Sequence, residues 1–331
     1  MIHCKKKGRF CDVECVLLAF FVLICISCET SMMAQNDVML SQVGAVPSLL
    51  NPGTAGKSGS YEAVGAFRKQ WVGFEGSPQS TMLGVNGEVA FLKNFHGIGA
   101  MVVHDKVGAL TTMNIGLDYS FHIELSHGLL GLGLRVGVLN TAFNAGDLHP
   151  SVDGLDDDYH QSSDPLLEGS DDSGTALDIG FGAFYQSKRS YLGFSVLHLT
   201  SPRMEMKSGA IIKRRPMMAL MAGRKLREDA ELGIEARSGF QTDFSSSEFD
   251  VSVLANIRRK VSLGIGYRLQ DAIFFQLGAN LLGGIFVGYG YDLCLTDFRS
   301  YQSGSHEVVL SYSFNIDVER RTKRYKSVRM L

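Results

Sequence analysis

After residue 34 the sequence has no run of 18 or more apolar residues, the minimum for a bilayer-spanning helix, so any place in a membrane is not as a helix bundle. Cysteine is nearly absent as well. Five of the six (Cys4, Cys11, Cys15, Cys25 and Cys28) fall within the first 34 residues, leaving Cys294 alone, and a single cysteine excludes a disulfide framework. No glycine run completes G-x-G-x-x-G ahead of a helix, so dinucleotide binding has no support. His96, His104, His122, His127, His149, His160, His198 and His306 show neither H-x-x-x-H nor H-E-x-x-H spacing, and no cysteines stand beside them, so nothing points to zinc. No G-x-S-x-G element supports a hydrolase, although a Ser and a His on adjacent strands could still assemble in space. The charge balance, −2 over the whole chain, gives no sign of nucleic-acid binding.

What is present begins with a targeting segment. Lys5, Lys6, Lys7 and Arg9 form a basic start, residues 16–26 form an apolar stretch of the usual length, and Ala34 is the preferred cleavage point, giving a signal peptide over 1–34. Lipid attachment at Cys28 is the alternative, with Cys25 standing where leucine is wanted. Residues 35–60 then read as a periplasmic N-terminal segment.

From residue 61 the dominant signal is alternation with period two, which sends every second side chain to one face of a strand. In the clearest case Met113, Ile115, Leu117, Tyr119, Phe121 and Ile123 interleave with Asn114, Gly116, Asp118, Ser120, His122 and Glu124. The pattern recurs to the end, where Val308, Leu310, Tyr312 and Phe314 share a face opposite Glu307, Val309, Ser311 and Ser313. Counting the weaker segments gives about 14 strands, most of the length a tilted strand needs to cross a bilayer. Connections on one side are short and those on the other mostly long. The fold class is therefore all-β: a transmembrane antiparallel β-barrel over 61–314, with short periplasmic turns and long extracellular loops. Hydrocarbon offers no hydrogen-bond partners, so the sheet has to close on itself. Glycines at inward positions, among them Gly131, Gly133, Gly137, Gly264 and Gly266, leave room for a plug, for bulky neighbours or for bends. A soluble β-protein with the apolar face in its core is the competing fold.

Two segments outside the strands carry chemistry. The acidic stretch 151–172 reads as a solvated extracellular loop or, through Asp153, Asp156, Asp157 and Asp158, as a calcium loop without the usual D-x-D-x-D-G order. Residues 315–331 form a basic periplasmic tail. It is either a solvated end or a docking peptide built on Arg320, Arg321, Lys323, Arg324, Tyr325 and Lys326.

Five stretches in order, SQVGAVPSLLNPGTAG (41–56), FRKQWVGFEGSPQS (67–80), HDKVGALTTMNIGLDYSF (104–121), YDLCLTDFRSYQSGSHEVVLSYSF (291–314) and YKSVRML (325–331), resemble signature segments of the PorP/SprF family. These are outer-membrane proteins associated with the type IX secretion system of Bacteroidetes. The resemblance implies a non-enzymatic outer-membrane component of protein export or gliding, without a cofactor. Its partners would be other secretion components in the periplasm and outer membrane, or one large secreted adhesin. On this reading Arg68, Trp71 and Phe74, at the first extracellular loop, are candidates for substrate or surface contact. A porin or small-molecule transporter would share the barrel, and a barrel enzyme would need a reactive constellation at its lumen or rim.

Overall fold

The structure is a computed structural model that describes residues 38, 40–91, 94–144 and 172–314. The signal peptide, Cys28, the acidic residues of 151–171 and the whole basic tail lie outside the described residues.

Among the described residues there are sixteen strands, of which all but β8 and β9 follow the alternation read from the sequence: β1 Tyr61–Lys69, β2 Gln79–Phe91, β3 Asn94–Val107, β4 Leu110–Leu125, β5 Gly128–Phe143, β6 Asp172–Ser187, β7 Ser190–Leu197, β8 Arg203–Glu205, β9 Ile211–Lys213, β10 Met217–Glu228, β11 Leu232–Thr242, β12 Ser247–Ile257, β13 Val261–Arg268, β14 Ala272–Asn280, β15 Ile285–Cys294 and β16 Ser305–Phe314. All but β8 and β9 form a closed antiparallel barrel of 14 strands. The seam pairs the first strand with the last, from Tyr61 opposite Phe314 to Lys69 opposite His306. Closure leaves no edge strand, which is what a sheet in hydrocarbon requires.

The two faces sort by polarity. Leu83, Val85, Ile115, Leu117, Val136 and Leu310 stand exposed on the outside, while Asp118, Ser120, Arg135, Asp178, Asp292 and Glu307 are buried on the inside. Rings gather near the seam, where Tyr61, Phe314 and Tyr312 stack in a row with centroids 5.8 and 5.2 Å apart, as amphipathic side chains do at a membrane interface.

Connections at the end bearing Tyr61 and Phe314 are short, spanning 92–93, 126–127, 188–189, 229–231, 258–260 and 281–284. At the far end they include 70–78, 144–171, 198–216 and 295–304, although 108–109 and 269–271 are also brief. The wall is uneven, because β4, β5 and β6 have 16 residues each and β7 has 8. β6 pairs with β7 only from Phe181 to Gln186. Beyond that point Leu199 N donates to Ile179 O at 2.9 Å, and the β8–β9 hairpin packs fully buried Met204 beside Gly174 and Thr141. The Asp172 carboxylate accepts the Lys207 and Ser208 backbone N–H groups at 2.5 and 3.0 Å, fixing the hairpin over this side of the mouth.

Eight strands make a lumen that wall side chains can fill, and 14 make one too wide for that. Here the filling is the chain's own N-terminal segment. Leu40, Val46 and Leu49 pack against inward Val64, Ala66, Met82, Met101 and Val309, and Leu50 packs against Phe184, Leu197, Met217 and Met221. The segment runs the length of the barrel. Ser41 lies beside Arg68, Arg268 and Asp292, near the far ends of β1, β13 and β15, and the segment then descends to join β1 at Tyr61. The expectation of a periplasmic segment over 35–60 is corrected accordingly: residues 40–56 lie inside the barrel, because their apolar side chains have an apolar wall to bury against.

The outward face of β4 supplies a test. Leu117→Arg, at a mid-strand position on the outer face, is expected to destabilise the barrel by about 2–4 kcal/mol. Reversible urea unfolding in lipid vesicles, followed by fluorescence of the single tryptophan, Trp71, reads that loss.

Candidate functional site: a segment clamped in the lumen

Three sets of wall residues hold the segment, each set by strand register. The first lies near the far end. Arg68 of β1 sits opposite Glu307 of β16, and its Nη1 and Nη2 reach Glu307 Oε2 at 3.1 Å and Asp292 Oδ2 at 2.6 Å. Arg268 Nη1 meets the same Asp292 oxygen at 2.9 Å and also pairs with Glu248. Into this network enters the backbone of the segment. Ser41 N and Gln42 N each donate to Glu307 at 2.8 Å, Ser41 Oγ donates to Asp292 Oδ1 at 2.6 Å, and Gln276 Nε2 donates to Ser41 O. Arg68, Asp292 and Glu307 are all almost fully buried. Buried charges are costly unless paired and hydrogen-bonded, and the two backbone N–H groups complete the shell around Glu307.

The second set holds the helical turn Pro47–Leu50. Arg135 of β5 faces Asp118 of β4 in register and binds it bidentately at 2.7 and 2.8 Å. Its Nη1 and Nη2 also donate to Leu49 O at 2.8 Å and Ser48 O at 2.7 Å. These carbonyls end the turn and have no intrahelical partner, so a guanidinium there satisfies them and complements their dipoles.

The third set grips the N-P-G-T-A-G element of residues 51–56. Asn51 Nδ2 donates to Ala183 O and Phe194 O, both at 3.1 Å, while its Oδ1 accepts Gly53 N at 2.8 Å. Gly56 N donates to Asn86 Oδ1 at 3.1 Å, and Ser120 Oγ donates to Gly53 O at 3.2 Å. His122 Nε2 donates to Ala55 O at 3.0 Å, which fixes its tautomer, since a carbonyl only accepts. The wall here is floored with glycine. A Cβ on Gly131 would stand 2.1 Å from Gly53 O, and one on Gly97 would stand 1.9 Å from Ala55 O. No side chain fits between wall and segment.

The structure divides the candidate residues taken from the sequence. Arg68 is not a surface contact: it is 1 % exposed, because it shares the inward face of β1 with Val64 and Ala66, and its role is in the clamp. Trp71 and Phe74 do lie in the far-end loop, where both rings meet Phe298 edge-on at 5.3 and 5.2 Å. That loop is tied to 295–304 through Val72 N to Gly304 O and Ser303 N to Val72 O. Arg320, Arg321, Lys323, Arg324, Tyr325 and Lys326 lie outside the described residues. The sequence reading missed Ser41, Asn51, Asp118, Arg135, Arg268, Asp292 and Glu307. Their signal was a charged or polar side chain in an inward row or in the quoted 41–56 stretch. Among the described residues no group of three or more His, Cys, Asp or Glu could hold a metal ion.

Space remains on the β10–β15 side of the segment, as cavities of about 320 and 420 Å³ that reach the end bearing the short turns. Lys57 lines the first, its Nζ 4.7 Å from the Phe184 ring centroid. Burial pulls its ammonium down to about 8, partly opposed by the nearby Glu62 carboxylate.

A closed 14-strand barrel with an apolar outer belt and a polar, filled lumen defines an outer-membrane β-barrel protein. The sequence matches the family described as type IX secretion system membrane protein PorP/SprF over residues 32–312, and the chain belongs to that family. It is thus a membrane component of secretion, placed in the outer membrane with its short turns toward the periplasm. A search of curated proteins finds no match. Similar solved structures include the toluene transporter TodX of Pseudomonas putida (10 % identity, 87 % of this chain and 96 % of that one, TM-score 0.44) and the translocator domain of autotransporter NalP from Neisseria meningitidis (11 %, 82 % and 94 %, 0.41). Another is Omp33 of Acinetobacter baumannii (7 %, 77 % and 98 %, 0.42).

The clamp makes a double-mutant expectation. Removing one partner of a buried pair strands the other, so Arg68→Met and Glu307→Leu are each expected to cost about 3–5 kcal/mol. The double variant should cost less than the sum by at least 1 kcal/mol, as coupled neighbours do. Urea unfolding in lipid vesicles measures all three, and chymotrypsin cleavage at Leu49 and Leu50 should quicken in the single variants.

Proposed function

We propose that this chain is a plugged, non-enzymatic barrel of the type IX machinery, serving protein export rather than diffusion of small solutes. It either anchors the machinery at the outer membrane or assists export and surface attachment of a partner adhesin. The observation that carries this reading is the clamped N-terminal segment. A lumen crossed by 17 residues, 40–56, and fastened by buried ion pairs at one end and glycine-floored packing at the other is built to be closed at rest. Family membership supports the assignment to secretion.

Two regions are proposed to meet partners. At the extracellular rim the joined loops 70–78 and 295–304 present Phe74 and Tyr301, the latter 72 % exposed, to an exported or surface protein. On the periplasmic side the basic tail after Phe314 is proposed to dock other secretion components through Arg320, Arg321, Lys323, Arg324, Tyr325 and Lys326.

Comparative proteomics of medium and cell surface tests the proposal. Deleting the gene should deplete secreted proteins, many of them for an anchoring component and one or a few large surface proteins for a dedicated accessory. A chain truncated after Phe314 should reproduce that loss if the tail docks, while full secretion without residues 315–331 would remove the tail from the account. In planar bilayers the intact protein should show little steady conductance, and unchanged secretion together with a large open conductance would favour a porin.

A further inference from the structure

The cavity of about 320 Å³ beside the clamped segment has a charge arrangement that neither the clamp nor the barrel uses. Five cations line it, Lys57, Lys188, Arg189, Lys225 and Arg237, against two carboxylates, Glu235 and Asp250. Arg237 is taken up by Glu235 at 2.8 Å, and Lys225 by Glu228 at 2.6 Å. Asp250 lies among charges of the clamp, in the field of Arg268 and Asp292. Lys57, Lys188 and Arg189 have no ion pair among the described residues. Lys188 and Arg189 form the β6–β7 turn at the periplasmic mouth, and Lys57 lies further in, partly buried, with the Phe184 ring against its ammonium and the charges of Glu62, Glu235 and Arg237 at longer range. A partly buried cation whose nearest carboxylates, Glu62 and Glu235, act on it only from beyond ion-pair distance, at the edge of a space large enough for a ligand, marks where an anion gains most.

We propose that this cavity is a periplasm-facing site for a carboxylate-bearing extended peptide, with an acidic side chain or terminal carboxylate seated on Lys57 and a second anionic group held by Lys188 and Arg189 at the mouth. The lining favours a peptide over a bare anion. Ser187, Ser190, Ser238 and Gln241 offer hydroxyl and amide partners along the walls, and Leu50 and Met221 offer apolar contact at the inner end. The volume falls in the range of roughly 300–1,000 Å³ of ligand pockets, more than a single small anion needs. The proposal stands apart from the secretion role, since it requires only that the short turns face the periplasm.

The test uses the full-length protein in detergent and a fluorescein-labelled hexaglutamate peptide, read by fluorescence polarisation at physiological salt. Binding is expected, with affinity falling about tenfold in Lys57→Met and several-fold in the Lys188→Ser/Arg189→Ser variant, and unlabelled hexaglutamine with an amidated C-terminus, which carries no carboxylate, should not compete. The rim variant lies in an exposed turn and keeps the test sound if Lys57→Met misfolds; heat-modifiable migration on gels checks folding in both. Binding that survives both substitutions belongs to the basic tail and overturns the site. Absence of binding overturns it too, as does displacement by inorganic phosphate at the concentration where free hexaglutamate displaces, which would make the cavity a small-anion site only.

Discussion

A single buried carboxylate holds the two halves of this architecture together. Glu307, on the last strand, accepts the backbone N–H groups of Ser41 and Gln42 at 2.8 Å and is itself neutralised by Arg68 of the first strand at 3.1 Å. The contact that seats the N-terminal segment therefore also spans the seam that closes the barrel. Hydrocarbon requires a closed sheet, 14 strands leave a lumen too wide for wall side chains to fill, and the segment supplies the missing filling. Without the segment, Glu307 would lose two donors, and Arg135 would lose the carbonyls of Ser48 and Leu49.

The clamps differ in kind along the axis. Near the far end the neutral backbone and hydroxyl of the segment hydrogen-bond to a wall network of ion pairs, Arg68, Arg268, Asp292 and Glu307, and that hold depends on each charge keeping its partner. Toward the periplasmic end it is steric, through glycines that let the backbone of residues 53–56 lie against the wall. Between them a methionine-containing apolar core with Met82, Met101, Met217 and Met221 fits the segment's leucines.

Much of the barrel was legible in the sequence. Alternation such as that of Leu117 with Asp118 is imposed by strand geometry, and the outer row must be apolar in a bilayer, so strand number and facing follow from local pattern. Gly131 and Gly133 signalled room for a plug without saying what fills it. The clamp was not legible, because Arg68 and Glu307 are 239 residues apart and meet only when the barrel closes. The place of Arg68 beside a loop suggests the rim, whereas its parity with Val64 and Ala66 points inward, and parity decides. Residues 41–56 carry glycine, proline and no periodicity, which describes an outer loop and a lumen plug equally well. Only the apolar wall facing Leu40, Leu49 and Leu50 separates the two.

The central claim is that the segment from Leu40 to Gly56 is a fixed part of the barrel interior. Hydrogen–deuterium exchange on the intact protein in lipid nanodiscs tests it most directly, through the amides of Ser41, Gln42, Gly53 and Gly56. Protection comparable to that of the barrel strands is the predicted result. Exchange as fast as in an unstructured peptide, with the strands still protected, would contradict it.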